Sequence, residues 1–183
     1  MAARLLLVAA APTADTRTAT FGADGPLLHP DAVRTVQERV AAWWSGPEQA
    51  CRQTCERLGR PGQVLAELRG PGFGSWAGRR LADVGGTDPA GVRAWLTDPD
   101  AVPHGGESLA ALVTRVGALA EAHPWPEGRS VVVVAPLVAR ALLVHALGAS
   151  PAVLFRVDVA PLGRVLLSRA GAAWRLQGLS GPD

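Results

Sequence analysis

The sequence predicts an α/β chain, a three-layer sandwich with a mostly parallel central sheet and helices on both faces. Three observations carry this. Leu5–Val8 and "SVVVVAP" are unbroken apolar runs, which suit strands covered on both faces. Between and after them, "LAALVTRVGALAEAH" and "LVARALLVHALG" repeat their apolar residues at helical spacing. The order strand, helix, strand without a linker or internal repeat then makes residues 1–183 one domain.

The elements follow in order. Leu5–Val8 reads as a buried strand ending in Ala9, Ala10 and Ala11. "DAVRTVQERVAAWW" places Val33, Val36 and Val40 on one face of a predicted amphipathic helix. A second helix is expected from Pro47 to Leu58, closed by Gly59, and "QVLAEL" as a short strand before the glycine-rich loop "RGPGFGSWAG". A Pro/Gly/Asp-rich stretch leads to "HGGES", where Ser108 can cap the helix carrying Leu109, Leu112, Val113, Val116 and Leu119. After the "SVVVVAP" strand and the helix ending at Gly148, "AVLFRVDVAP" and "GRVLLSRAGAAWRLQGL" alternate apolar and polar residues and break at Ala-Gly, which predicts strands and a hairpin.

Composition narrows the function classes. The 183 residues are 48% apolar with a net charge of +2 and an isoelectric point near 9.0. Arginine supplies all the positive charge of a chain without lysine, and the arginines are scattered rather than interleaved with aromatics, so no nucleic-acid partner is expected. Arg4 and "LLLVAAA" imitate a secretory leader but are too short for one, and no run reaches the ~18 apolar residues of a membrane helix. The expectation is a cytoplasmic protein with no membrane partner. Cys51 and Cys55 lie four apart in a helical stretch without the further ligands of a zinc set, so no metal and no cofactor is expected.

The order of motifs resembles the histidine phosphatase superfamily, the phosphoglycerate mutase-like proteins, over nearly the whole chain. "LLLVAAAPT" stands where the family has a strand ending in Arg-His-Gly-Glu-Thr. "GPEQACRQTCERLG" stands at Ser-Pro-x-x-Arg-Ala-x-x-Thr-Ala-x-x-Leu-Gly, and "FGSWAG" is similar to Phe-Gly-x-Trp-Glu-Gly. "PHGGES" is similar to Pro-Gly-Gly-Glu-Ser, and "VVVVAPLVARALLVHALG" to Val-x-Val-Ser-His-Gly-Gly-Val-Ile-Arg-Ala-Leu-Leu.

The resemblance implies phosphoryl transfer through a phosphohistidine, with two arginines and a second histidine holding the oxygens and a carboxylate protonating the leaving group. Carried over by motif, the first arginine falls on Ala9, the nucleophile on Ala10, the second arginine on Ala50, the acid on Gly70 and the second histidine on Ala135. All five functional side chains are missing, and with them every charge-assisted hydrogen bond, each worth roughly 1.5–3 kcal/mol. No catalytic residue is therefore expected. The chain reads as a degenerate member, a pseudophosphatase that binds a small neutral ligand or a protein partner, with a regulatory role.

An enzyme of altered chemistry would have to draw on the remaining polar groups near the motifs: Thr13, Arg17, His104, Glu107 and Ser108. Each also has an ordinary structural use. Glu107 suits the start of a helix through the helix dipole, His104 a loop, and Arg17 the surface. A phosphatase with a displaced nucleophile is the third reading. "GSWAG" is not a nucleophile elbow, "GPGFG" lacks the P-loop lysine, and alanines stand where a dinucleotide fingerprint needs glycines.

Overall fold

A computed structural model describes residues 2–22, 24–171 and 173–182. The sheet has six strands: β1 (Ala3–Ala9), β2 (Ala42–Ser45), β3 (Gln63–Val64), β4 (Gly128–Val134), β5 (Arg164–Ala170) and β6 (Ala173–Ser180). Their order across the sheet is β3-β2-β4-β1-β5-β6. β3, β2, β4 and β1 are mutually parallel, whereas β5 and β6 run antiparallel as the expected hairpin, so the sheet is mixed.

The helices are α1 (Ala14–Arg17), α2 (Gln49–Leu58), α3 (Leu81–Thr87), α4 (Pro89–Thr97), α5 (Leu109–Ala122) and α6 (Pro136–Ala146). Strand periodicity of two divides the sheet residues between two cores. Leu5, Leu7, Ala9, Val132 and Val134 pack with the buried faces of α5 and α6, and with Val84 and Trp95 from α3 and α4. Leu6, Val8, Ala10, Val131 and Val133 pack on the other side with Cys51, Cys55 and Leu58 of α2. Three layers result, helices on both faces of one sheet.

The segment expected as a helix over Val33–Val40 is not one. A short 3₁₀ turn at Pro30–Ala32 gives way to irregular chain and then to β2. Tertiary bonds override the local period: the Val36 N–H donates to the Leu58 carbonyl at 2.7 Å, and that of Ala41 to Arg129 at 2.7 Å. Val33, Val36 and Val40 still reach the α2-side core, so their spacing reports burial rather than helix. Trp43 and Trp44 lie in β2, one toward each core, as bulky aromatics on a pleated strand do.

"QVLAEL" contributes only the two residues of β3 before a 3₁₀ turn at Ala66–Leu68, and "AVLFRVDVAP" is a 3₁₀ turn at Pro151–Arg156 rather than a strand. The Pro/Gly/Asp-rich stretch holds both α3 and α4. Asp88 caps α4, accepting from the Gly91 N–H at 2.9 Å with Pro89 in the first turn, a start signal readable in the sequence. No helix among the described residues is long and apolar enough to cross a membrane.

Candidate functional site

In open α/β sheets, ligands gather beyond the carboxyl ends of parallel strands. Here the ends of β1 and β4 lie side by side, with Ala9 opposite Val134 and the Ala10 N–H donating to the Val134 carbonyl at 2.8 Å. A cleft of about 390 Å³ opens at this end, lined by Thr20, Gly22, Glu48, Gly70, Pro71, Phe73, Ala135, Pro136 and Leu137.

Of the alanine and glycine positions marked by motif, Gly70 and Ala135 line the cleft. Ala9 and Ala10 are 0% and 5% exposed and pack in the two opposite cores, so they do not face the cleft together with Ala135. Ala50 is half-buried on α2 against the core of that side. Backbone N–H groups at the end of β1 are already engaged within the fold. The Ala9 N–H donates to the Gly163 carbonyl, that of Ala10 to Val134, and that of Ala11 to the Thr54 hydroxyl at 2.9 Å.

Among the described residues Glu48 is the one ionisable side chain of the cleft wall, and the sequence reading did not single it out. It sits just ahead of α2 without capping that helix through its side chain. Asp24 takes that role, its Oδ1 accepting from the Gln49 N–H at 2.5 Å. The Glu48 carboxylate is thereby released to turn across the cleft, where Oε1 accepts from the Gly70 N–H at 2.6 Å. Oε2 is sealed from solvent, with the Cys51 thiol as its neighbour. The fit depends on glycine at position 46, since a Cβ there would stand 2.6 Å from Oε2. A glutamate directly after "GP" reads in the sequence as an acid at a helix start, and only the bond to Gly70 shows that it faces a cleft.

Beside it, burial first and the Glu48 carboxylate second push the Cys51 thiol well above its ordinary value. Cys51 stays a protonated thiol and is no nucleophile. Burial likewise pushes Cys55 up to about 11, against an opposing backbone hydrogen bond from Gly62.

The polar residues expected to rescue chemistry are elsewhere. Thr13 is buried and forms a capping box with Thr16 at the start of α1, and Arg17 is exposed on that short helix. His104 is 2% exposed, its ring edge-on to Phe73 and Trp76. Glu107 is held by Arg115, Nε to Oε1 at 2.8 Å and Nη2 to Oε2 at 2.7 Å, while Ser108 caps α5. None of the five lines the cleft, and no histidine does. Trp43, Trp44 and Trp76 are all packed in the cores, and among the described residues Phe73 alone supplies a ring to the cleft wall. Among the described residues no three metal-ligating side chains gather.

A profile of the histidine phosphatase superfamily (branch 1) matches residues 31–180. No curated protein matches the chain by sequence. Among solved structures, a mycobacterial glucosyl-3-phosphoglycerate phosphatase complexed with VO3 is similar at a TM-score of 0.82 and 22% identity, covering 99% of this chain and 100% of that one. Bacillus stearothermophilus YhfR is similar at 0.85 and 18% identity, over 98% and 97% of the two chains. The alpha-ribazole phosphatase from Shigella flexneri is similar at 0.79 and 17%, over 98% of each. At these identities the likeness is one of fold.

Proposed function

We propose, for a chain that belongs to the histidine phosphatase superfamily (branch 1), that the fold is kept while phosphoryl transfer is lost, and that the chain is a pseudophosphatase whose cleft binds a ligand in a regulatory role. One observation carries this. Among the described residues the cleft at the ends of β1 and β4 is lined by no arginine and no histidine, and its single charged side chain is a carboxylate. Phosphoryl transfer needs a nucleophile with a free lone pair and positive charge aimed at a dianion. A dianion brought here would lose its water and meet Glu48, Phe73, prolines and small side chains. The altered-chemistry reading has no acid–base pair to work with, because Glu107 is locked to Arg115 and His104 lies in the aromatic core.

The test is a phosphomonoester assay with p-nitrophenyl phosphate, together with a search for an acid-labile phosphoenzyme. Neither turnover above background nor a phosphoenzyme is expected. Turnover abolished by replacing any one of His29, His104, His123 or His145 would sink this reading in favour of a relocated nucleophile.

A further inference from the structure

The cleft has a charge sign that the sequence does not suggest. Truncation to alanine and glycine predicts an uncharged pocket, yet Glu48 projects into it from the start of α2. Its carboxylate accepts one backbone hydrogen bond, from Gly70, with the weak thiol donor of Cys51 beside it, although two oxygens offer about four acceptor positions. Among the described residues no arginine answers it on the cleft wall. Oε2 is sealed from solvent beside the protonated Cys51 thiol, a weak donor. Oε1 keeps acceptor capacity beyond its bond to Gly70, and a cation that brings donors to it stabilises the carboxylate.

The N-terminus of α6 also reaches the cleft through Pro136 and Leu137, and a helix start alone favours anions. Two features reverse that preference. Pro136 has no N–H to give an anion, and the full negative charge of Glu48 exceeds the roughly half charge of a helix end. The remaining walls are apolar: Phe73, Pro71, Ala135, Pro136 and Leu137. Phe73 adds a ring whose face attracts a cation. A volume of about 390 Å³ accommodates a small organic molecule.

We propose that the cleft binds an organic ammonium ligand, a protonated amine on a compact apolar body, with the amine on Glu48 and the body against Phe73 and the prolines. This rests on the pseudophosphatase reading, since it uses the same site, and it names the class of ligand that the site takes.

The experiment uses the intact chain and three probes of nearly one shape and different charge: benzylamine, benzyl alcohol and benzoate, with inorganic phosphate beside them. Binding is followed by NMR on the Gly70 amide, which reports the bond to Glu48 directly. Benzylamine should bind at least about tenfold more tightly than benzyl alcohol, consistent with one ion pair in a partly desolvated cleft. Benzoate and phosphate should leave the Gly70 resonance in place. Glu48→Gln keeps the length and an acceptor for Gly70, and should abolish the preference for the amine while benzyl alcohol changes by less than about twofold.

The probe series on the unaltered chain stands even where the variant is unstable. Equal binding of amine and alcohol, or no shift with any probe, overturns the ammonium inference and leaves the loss of phosphatase chemistry to the phosphomonoester assay. A Gly70 shift with phosphate, tighter than with the amine, overturns both.

Discussion

His104 shows how a residue of catalytic type becomes structural. Its Nδ1 accepts from the Gly106 N–H at 3.0 Å, which leaves the proton of the neutral ring on Nε2, and that nitrogen is buried without a partner. The ring lies against Phe73 and Trp76, and the Gly74 backbone passes so close that a Cβ there would collide with the His104 carbonyl. Burial holds the imidazole below its ordinary value near 6.5. In the folded chain it resists protonation, whereas in the unfolded chain it protonates freely below about pH 6.5. Its stabilising effect is thus full above that pH and is lost as the pH falls toward the folded value. The slope is up to about 1.4 kcal/mol per pH unit while only the unfolded chain is protonated. Urea denaturation at pH 7.5 and 5.5 measures this. Exchanging His104→Phe, which keeps a ring in the aromatic cluster, should reduce the stability difference between the two pH values. An unchanged difference would show that the acid sensitivity comes from elsewhere, His123 first, since burial lowers it too.

Between elements, Arg115 of α5 acts as a brace. Besides its two bonds to Glu107 it donates to the Glu67 carbonyl, and to the Arg69 carbonyl at 3.1 Å, tying the 3₁₀ turn that precedes the cleft wall at Gly70 to α5. The pair is 18% and 14% exposed at its side chains, so it is partly screened. Arg115→Met should cost about 2 kcal/mol in urea denaturation, below the ~3–5 kcal/mol of fully sealed pairs. Adding Glu107→Leu should recover part of that, because the stranded carboxylate goes too; a double variant less stable than the single one would refute the account.

Glu107 was legible as an acid near a helix start but not as Arg115's partner, since a pairing eight residues apart across a cap is set by the path of the loop. The same division holds elsewhere. Ser108 and the apolar period of Leu109–Leu119 fixed α5, and Ala-Gly fixed the hairpin of β5 and β6, because cap, period and turn are local. The Val33–Val40 segment misled because its apolar period is satisfied by docking on α2 without helical bonds. Glu48 escaped notice because its meaning lies in a hydrogen bond to Gly70, twenty-two residues away in the chain.

At the scale of the whole molecule, the sheet and its two cores decide which positions near the cleft could carry a phosphate-binding arginine or histidine. Ala9 and Ala10 are sealed in opposite cores, so an arginine or histidine there must displace packed side chains or strand a buried charge. Ala50 and Ala135 are only half-buried, and Ala135 already borders the cleft, so Ala50→Arg and Ala135→His can be carried by the existing fold. Even then the carboxylate of Glu48 remains in the cleft and repels an oxyanion. The double variant should therefore melt cooperatively yet bind vanadate weakly. Adding Glu48→Gln should tighten vanadate binding by about tenfold, the removal of one like charge at close range in a partly screened site. Isothermal titration of the two variants side by side measures the difference. Equal affinities would mean that Glu48 does not set the charge of the cleft, and the assignment of an ammonium ligand would fail with it. A rise on removing Glu48 would instead locate the charge preference of the cleft in that one side chain.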